Sequence, residues 1–178
     1  MALPQPQDLR KADEADQIQT LDLLFEPSPA IHSTLIPILR DSQYTSYPEL
    51  IDACKTCLFS LASSSSSSSS TSPDDTLLSI LGSHPRLGAK KVDSAQSAAE
   101  QANLQGEGEE LAKLNKEYED KFPGLRYVVF VNGRGRPEIM ENMRARISRG
   151  DFSQEVNEAL QAMCDIAKDR ASKLGVKQ

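Results

Sequence analysis

The chain of 178 residues has no tryptophan, two histidines and three cysteines, and only 5% of it is aromatic. With histidine so scarce, any proton transfer near neutral pH that uses imidazole has two candidates, His32 and His84. Long apolar runs are also missing. No stretch approaches the roughly 18–20 residues needed to cross a bilayer, and the start, MALPQPQDLRKADEAD, lacks the charged-then-apolar pattern of a secretory signal. The expectation is therefore a soluble, intracellular protein with no membrane partner. There is no excess of positive charge: a net charge of -6 and a pI near 5.0 leave no footprint for a polyanion, which argues against nucleic acid. An odd number of cysteines without a secretory signal argues for reduced thiols. Cys54 and Cys57 are spaced as C-x-x-C, but no second pair or histidine cluster completes a tetrahedral zinc site. They read as small core residues, and no metal is expected.

What is present is helical periodicity. Residues 1–16 are polar and hold two prolines without a sustained period, so a mobile arm is expected there. Helices are expected over 18–25, over 29–40 with the apolar stripe Ile31, Leu35, Ile36 and Leu39, and over 47–61. The serine run and its flank, 63–75, hold no apolar residue to offset the entropy of ordering them, and read as a disordered insertion. Ser72-Pro73 and Gly82 frame a short helix over 73–81. Further helices follow: one capped near Asp93 and reaching Ala102, one over 109–121, one over 138–148, and a last one capped by Ser153 and reaching about Leu174. Residues 125–131, LRYVVFV, form an extended candidate closed by the turn Asn132-Gly133, but a single such segment cannot make a sheet. The sum is one compact all-α domain of seven or eight helices over 17–175, with a tail at 176–178.

Three places carry residues with chemical potential. His84 follows a helix end and precedes Pro85, which holds it extended and removes the next amide donor, so its imidazole projects from a stiff loop. His32 lies beside an apolar stripe and reads as a packed or surface histidine. Ser97, Glu100 and Gln101 stand at i, i+3 and i+4 and share one helix face, suited to a ligand rich in N–H and C=O groups. The same Ser-x-x-Glu spacing is that of a capping box, although Asp93 and Gln96 supply an equal cap one turn earlier. In the last helix Val156, Leu160, Met163, Ala167 and Leu174 make an apolar stripe that also includes Arg170. That arginine cannot shed its proton, so it snorkels, pairs with a carboxylate such as Glu100, or lines a polar pocket for an anion. The basic turn Gly133-Arg134-Gly135-Arg136 lacks the order of a phosphate loop.

Taken together, SHPRLG at 83–88, Ser97-Ala98-Ala99-Glu100-Gln101 and Leu114-Asn115-x-x-Tyr118-x-x-Lys121-Phe122 resemble the 2-oxo-4-hydroxy-4-carboxy-5-ureidoimidazoline (OHCU) decarboxylase family. LFEPSP, SYPELI and LRYVVFVNGR extend the likeness over nearly everything outside the first residues and the serine run. The resemblance implies an all-helical, commonly dimeric enzyme that converts a small-molecule substrate, the ureidoimidazoline formed from urate, into (S)-allantoin and carbon dioxide without a cofactor. It further implies His84 and Glu100 as catalytic residues, with His84 the acid/base held by Pro85. Glu100 and Gln101 would hold ring and ureido groups with Ser97 assisting, Arg170 would anchor substrate oxygens, and backbone groups of Val129 and Val131 would complete the pocket. The competing expectation is a helical binding module of the same fold without turnover. The expected place is the cytoplasm, with the peroxisome open, because Ser172-Lys173-Leu174 is followed by four more residues and is not a terminal import address.

Overall fold

The computed structural model describes residues 2–67, 74–89, 95–100 and 108–176. Among them a 3₁₀ turn, Pro6–Lys11, is followed by α1 (Glu14–Leu24), α2 (Pro29–Asp41), α3 (Tyr47–Ser67), α4 (Asp75–Leu81), α5 (Ala95–Glu100), α6 (Gly108–Lys121), α7 (Arg136–Arg149) and α8 (Phe152–Leu174). The fold is all-α, and the described residues hold no strand beyond an isolated bridge between Leu3 and Val176. Two compact units are distinguished: Met1–Ile80 with Met163–Gln178, and Leu81–Ala162.

In the first unit α1 packs on α2, and α2 on α3 and on the 3₁₀ turn. Asp13 caps α1 by accepting the amide of Asp16 at 2.8 Å, and Ser28 with Pro29 opens α2. The stripe Ile31, Leu35, Ile36 and Leu39 is buried as expected, each such side chain contributing about 1.5–3 kcal/mol. Pro37 lies on the exposed side of α2, where a lost backbone bond is met by water.

Two expectations are corrected here. The first residues are not a mobile arm: Leu3 and Leu9 are fully buried, the Leu3 amide donates to the Gly175 carbonyl at 2.9 Å, and Tyr47 Oη donates to the Pro4 carbonyl at 2.9 Å. The signal was a spacing of three at Leu3, Pro6 and Leu9, the period of a 3₁₀ turn, which a search at the α-helical period passes over. The tail is tied in as well, since Val176 makes the bridge to Leu3. The serine run, in turn, does not end the third helix at Leu61. α3 continues to Ser67, with the hydroxyls of Ser63 and Ser64 donating to the carbonyls of Phe59 and Ser60 at 3.0 and 2.9 Å. Extending an existing helix adds a hydrogen bond for each residue fixed, whereas nucleating one does not. Residues 68–73, and with them the expected cap Ser72-Pro73, lie outside the described residues; α4 runs from Asp75, and Asp74 Oδ1 accepts the Thr76 amide at 2.9 Å.

In the second unit α6 packs on α7. Gly150 closes α7 in the left-handed conformation, φ 63°, and Asp151, two residues before the expected cap Ser153, caps α8 by accepting the Gln154 amide at 3.0 Å. Residues 125–131, the extended candidate, fall in no helix, strand or ladder, and the chain then turns at Asn132 and Gly133 with φ of 47° and 74°. Their carbonyls are taken by arginines instead: Val128 by Arg146 Nη1 at 2.9 Å, and Phe130 and Val131 by Arg134 at 2.5 and 3.2 Å. The basic turn thus folds its arginine back on its own chain. Around Tyr118 the rings of Phe122 and Tyr127 lie 4.8 and 5.5 Å away, centre to centre.

Beneath this segment lies a buried charge. Glu155, fully buried, accepts from Tyr118 Oη at 2.6 Å, Arg146 Nε at 2.8 Å and Arg149 Nη2 at 2.9 Å. Burial and then the bond to Glu155 raise the Tyr118 hydroxyl pKa, and burial pushes Tyr127 up to about 12. Glu155→Ala takes the buried carboxylate from Arg146 and leaves it only the part-exposed Glu158, 3.3 Å away. We expect a loss of about 3–5 kcal/mol, read as a lower urea midpoint.

Cys54 and Cys164 are buried free thiols and Cys57 is half-buried; burial raises all three, Cys164 to about 12. A raised folded pKa stabilises fully below the unfolded value, near 8.5, and that contribution fades as pH climbs toward 12. At pH 8 an aromatic disulfide reagent should label Cys57 in the native chain, and Cys54 and Cys164 only in urea.

Candidate functional site

His84 stands in the loop after α4 and is 5% exposed, so its imidazole is enclosed rather than projecting into solvent. Pro85 beside it is half-buried. The loop is fastened to its surroundings by side chains of the same unit. Arg126 Nη1 donates to the His84 carbonyl at 3.3 Å, and Asn115 Nδ2, from the buried face of α6, donates to the Leu87 carbonyl at 3.0 Å. Arg86 forks onto the Glu119 carboxylate at 2.6 and 2.9 Å. The loop then approaches α6 closely at Gly88, φ +71°, where an added Cβ would meet Leu111 Cδ2 at 2.6 Å.

Ser97 is buried on α5 at 2% exposure, Glu100 is the last residue of that helix, and Gln101 lies outside the described residues. α5 is described to Glu100, short of the Ala102 expected from the sequence. Val131 is buried and Val129 half-buried on the extended segment. That segment is joined to His84 through Arg126, whose role has no local sequence signal. Asn115 was quoted only as part of a likeness. No spacing rule announces that its amide reaches a carbonyl 28 residues earlier.

Arg170 belongs to the other unit and is 2% exposed, which removes snorkelling from its three readings. It pairs with a carboxylate, that of Glu26, at 2.9 Å, and also donates to the carbonyl of Phe25 at the end of α1. Glu26 itself is 3% exposed. His32 is on α2 with Nε2 at 2.5 Å from Asp22 Oδ1, a packed histidine as expected. Among the described residues no group of three or more His, Cys, Asp or Glu is placed to hold a metal ion. No described helix is long and apolar enough to cross a membrane.

The buried Arg170–Glu26 pair should show strong coupling. Glu26→Ala alone strands a guanidinium in the core and is expected to cost about 3–5 kcal/mol, while adding Arg170→Met should return most of that stability. Strictly additive losses across the four proteins of the cycle would contradict the pairing.

A family model described as OHCU decarboxylase matches residues 10–172, running through both units. Over 98 residues the chain is 35% identical to the uric acid degradation bifunctional protein PucL of Bacillus subtilis (strain 168). That alignment covers 52% of this chain and 19% of the relative, so the chain spans about a fifth of that protein's length.

Proposed function

Since the chain belongs to the OHCU decarboxylase family, we propose that it catalyses the cofactor-independent decarboxylation of 2-oxo-4-hydroxy-4-carboxy-5-ureidoimidazoline to (S)-allantoin and carbon dioxide. The family match over residues 10–172 carries this reading, and the relative's name, which speaks of uric acid degradation, supports it. The substrate's carboxylate sits on a carbon next to a ring C=N. When the bond to carbon dioxide breaks, its electron pair flows into that imine, and a proton delivered to one face of the ring fixes the hand of the product. The protein's task is then to orient a small polar heterocycle and to move that proton.

In this reading His84 is the acid/base, with Pro85 stiffening its backbone and lining the pocket. Glu100 shares the catalytic work and, with Gln101, holds ring and ureido groups, assisted by Ser97. Arg170, whose guanidinium cannot lose its charge, is assigned to anchoring substrate oxygens by the family likeness alone. Backbone groups at Val129 and Val131 complete the recognition. The reading includes a homodimer acting in the cytoplasm.

The test is circular dichroism at an allantoin band after mixing fresh urate-oxidase product with the chain. Optically active allantoin should form faster than by the spontaneous, racemic route. His84→Ala is expected to lower kcat about 10²–10⁴-fold in a chain that remains folded, with a lower unfolding midpoint from the lost buried packing. A folded wild-type chain that gave no rate enhancement would instead mark a binding module of the same fold, and a stable His84→Ala protein with full rate and handedness would remove His84 from its role.

A further inference from the structure

Resting on the assignment of His84 as acid/base, we propose that Asn115 and Arg126 are positioning residues that fix the loop from His84 to Leu87 and thereby aim the imidazole. The loop is irregular: Pro85 within it contributes no N–H, and a turn closes its far end, where the Ala89 amide donates to the Arg86 carbonyl at 3.2 Å. Side chains from outside add to that order. Two carbonyls of the loop, those of His84 and Leu87, are each taken by a side chain from a different element. Arg126 brings a charged donor from the extended segment, and Asn115 brings a buried amide, 6% exposed, from α6.

The α6 contacts are organised by helical spacing. Leu111, Asn115 and Glu119 recur every fourth residue and so share one face. Leu111 meets Gly88, Asn115 holds Leu87 and Glu119 holds Arg86, so three successive loop residues are read by one stripe of the helix. These contacts are not equal. The Arg86–Glu119 pair has side chains 49% and 26% exposed, where ion pairs add little. Asn115 works in the buried part of the stripe, where losing the donor leaves the Leu87 carbonyl without a bond it had, and a lost partner there costs more than the bond is worth on the surface. Neither residue is argued to touch substrate. Both act through the backbone that carries His84, and a displacement of about 1 Å at a reacting group is enough to cost about 10²-fold in rate.

The experiment uses the full chain, the optical assay on fresh urate-oxidase product, and hydrogen exchange of peptides covering residues 82–89. Asn115→Leu and Arg126→Met should each lower kcat about 10–100-fold with KM within about threefold, and raise exchange in that peptide. Arg126→Lys, which keeps a cationic donor, should recover most of the rate. Ile31→Val, a mild core variant in the other unit, should lower the melting temperature and leave kcat unchanged. A folded Asn115→Leu or Arg126→Met protein with wild-type kcat would overturn the proposal, as would a fall in kcat without any rise in loop exchange. Should Asn115→Leu fail to fold, Arg126→Met and its lysine rescue decide the matter by the same two readings. A wild-type chain without rate enhancement would defeat the functional reading instead. The positioning claim would then stand or fall on whether exchange rises at 82–89 in these variants and not in α7.

Discussion

In the unit that carries His84, the carboxylate of Glu155 is the constraint on which the surrounding geometry depends. It has no exposure, and an ionised carboxylate out of water is stable only with donors on both oxygens. Those donors come from two helices, Tyr118 on α6 and Arg146 and Arg149 on α7, while Glu155 itself is on α8. Arg146 then extends the network one step further to the Val128 carbonyl, with its guanidinium 4.7 Å from the centre of the Tyr127 ring. Well-packed apolar residues of similar volume could give equal stability. What they could not give is a directed donor for a carbonyl of a segment that has no sheet.

That segment explains why so many arginines are spent on backbone. An extended chain inside a protein needs a partner for each polar main-chain group, and a β-ladder ordinarily supplies them in bulk. Here Arg146 and Arg134 take carbonyls of the stretch singly, while Arg126, carried on the stretch itself, reaches out to the His84 carbonyl. Long side chains reach to a chosen atom without lining up a second strand. The segment can therefore be held at chosen carbonyls without a neighbouring strand.

The sequence made much of this legible, but unevenly. The all-α class, the stripe on α2, and the extended run with its Asn132-Gly133 turn were readable because periodicity and turn chemistry are local. Boundaries were readable to within a few residues, failing where competing caps stood side by side, as with Asp151 and Ser153. The first residues were misread because their period is three. The serine run was misread at its start because composition says little about a helix already nucleated upstream. Of the sites, His84 was conspicuous by scarcity and by Pro85, whereas the residues that hold its loop were invisible, since hydrogen bonds from Asn115 and Arg126 span 28 and 42 residues.

The two buried arginines show where such reading stops. Arg170 announced itself as a charge on the apolar stripe of α8, and Arg146 carries the same signature after Ile139 and Met143 on α7, which passed unnoticed. Each is resolved by carboxylate and main-chain carbonyl: Glu26 and Phe25 for Arg170, and Glu155, with Glu158 3.3 Å away, and Val128 for Arg146. The need for a partner follows from the guanidinium alone, because it stays charged wherever it is placed. The partner's identity does not follow. Glu155 lies nine residues from Arg146, and Glu26 lies 144 from Arg170. A misfit on a helix stripe thus predicts that an ion pair exists, while only the tertiary fold selects which of the chain's carboxylates completes it.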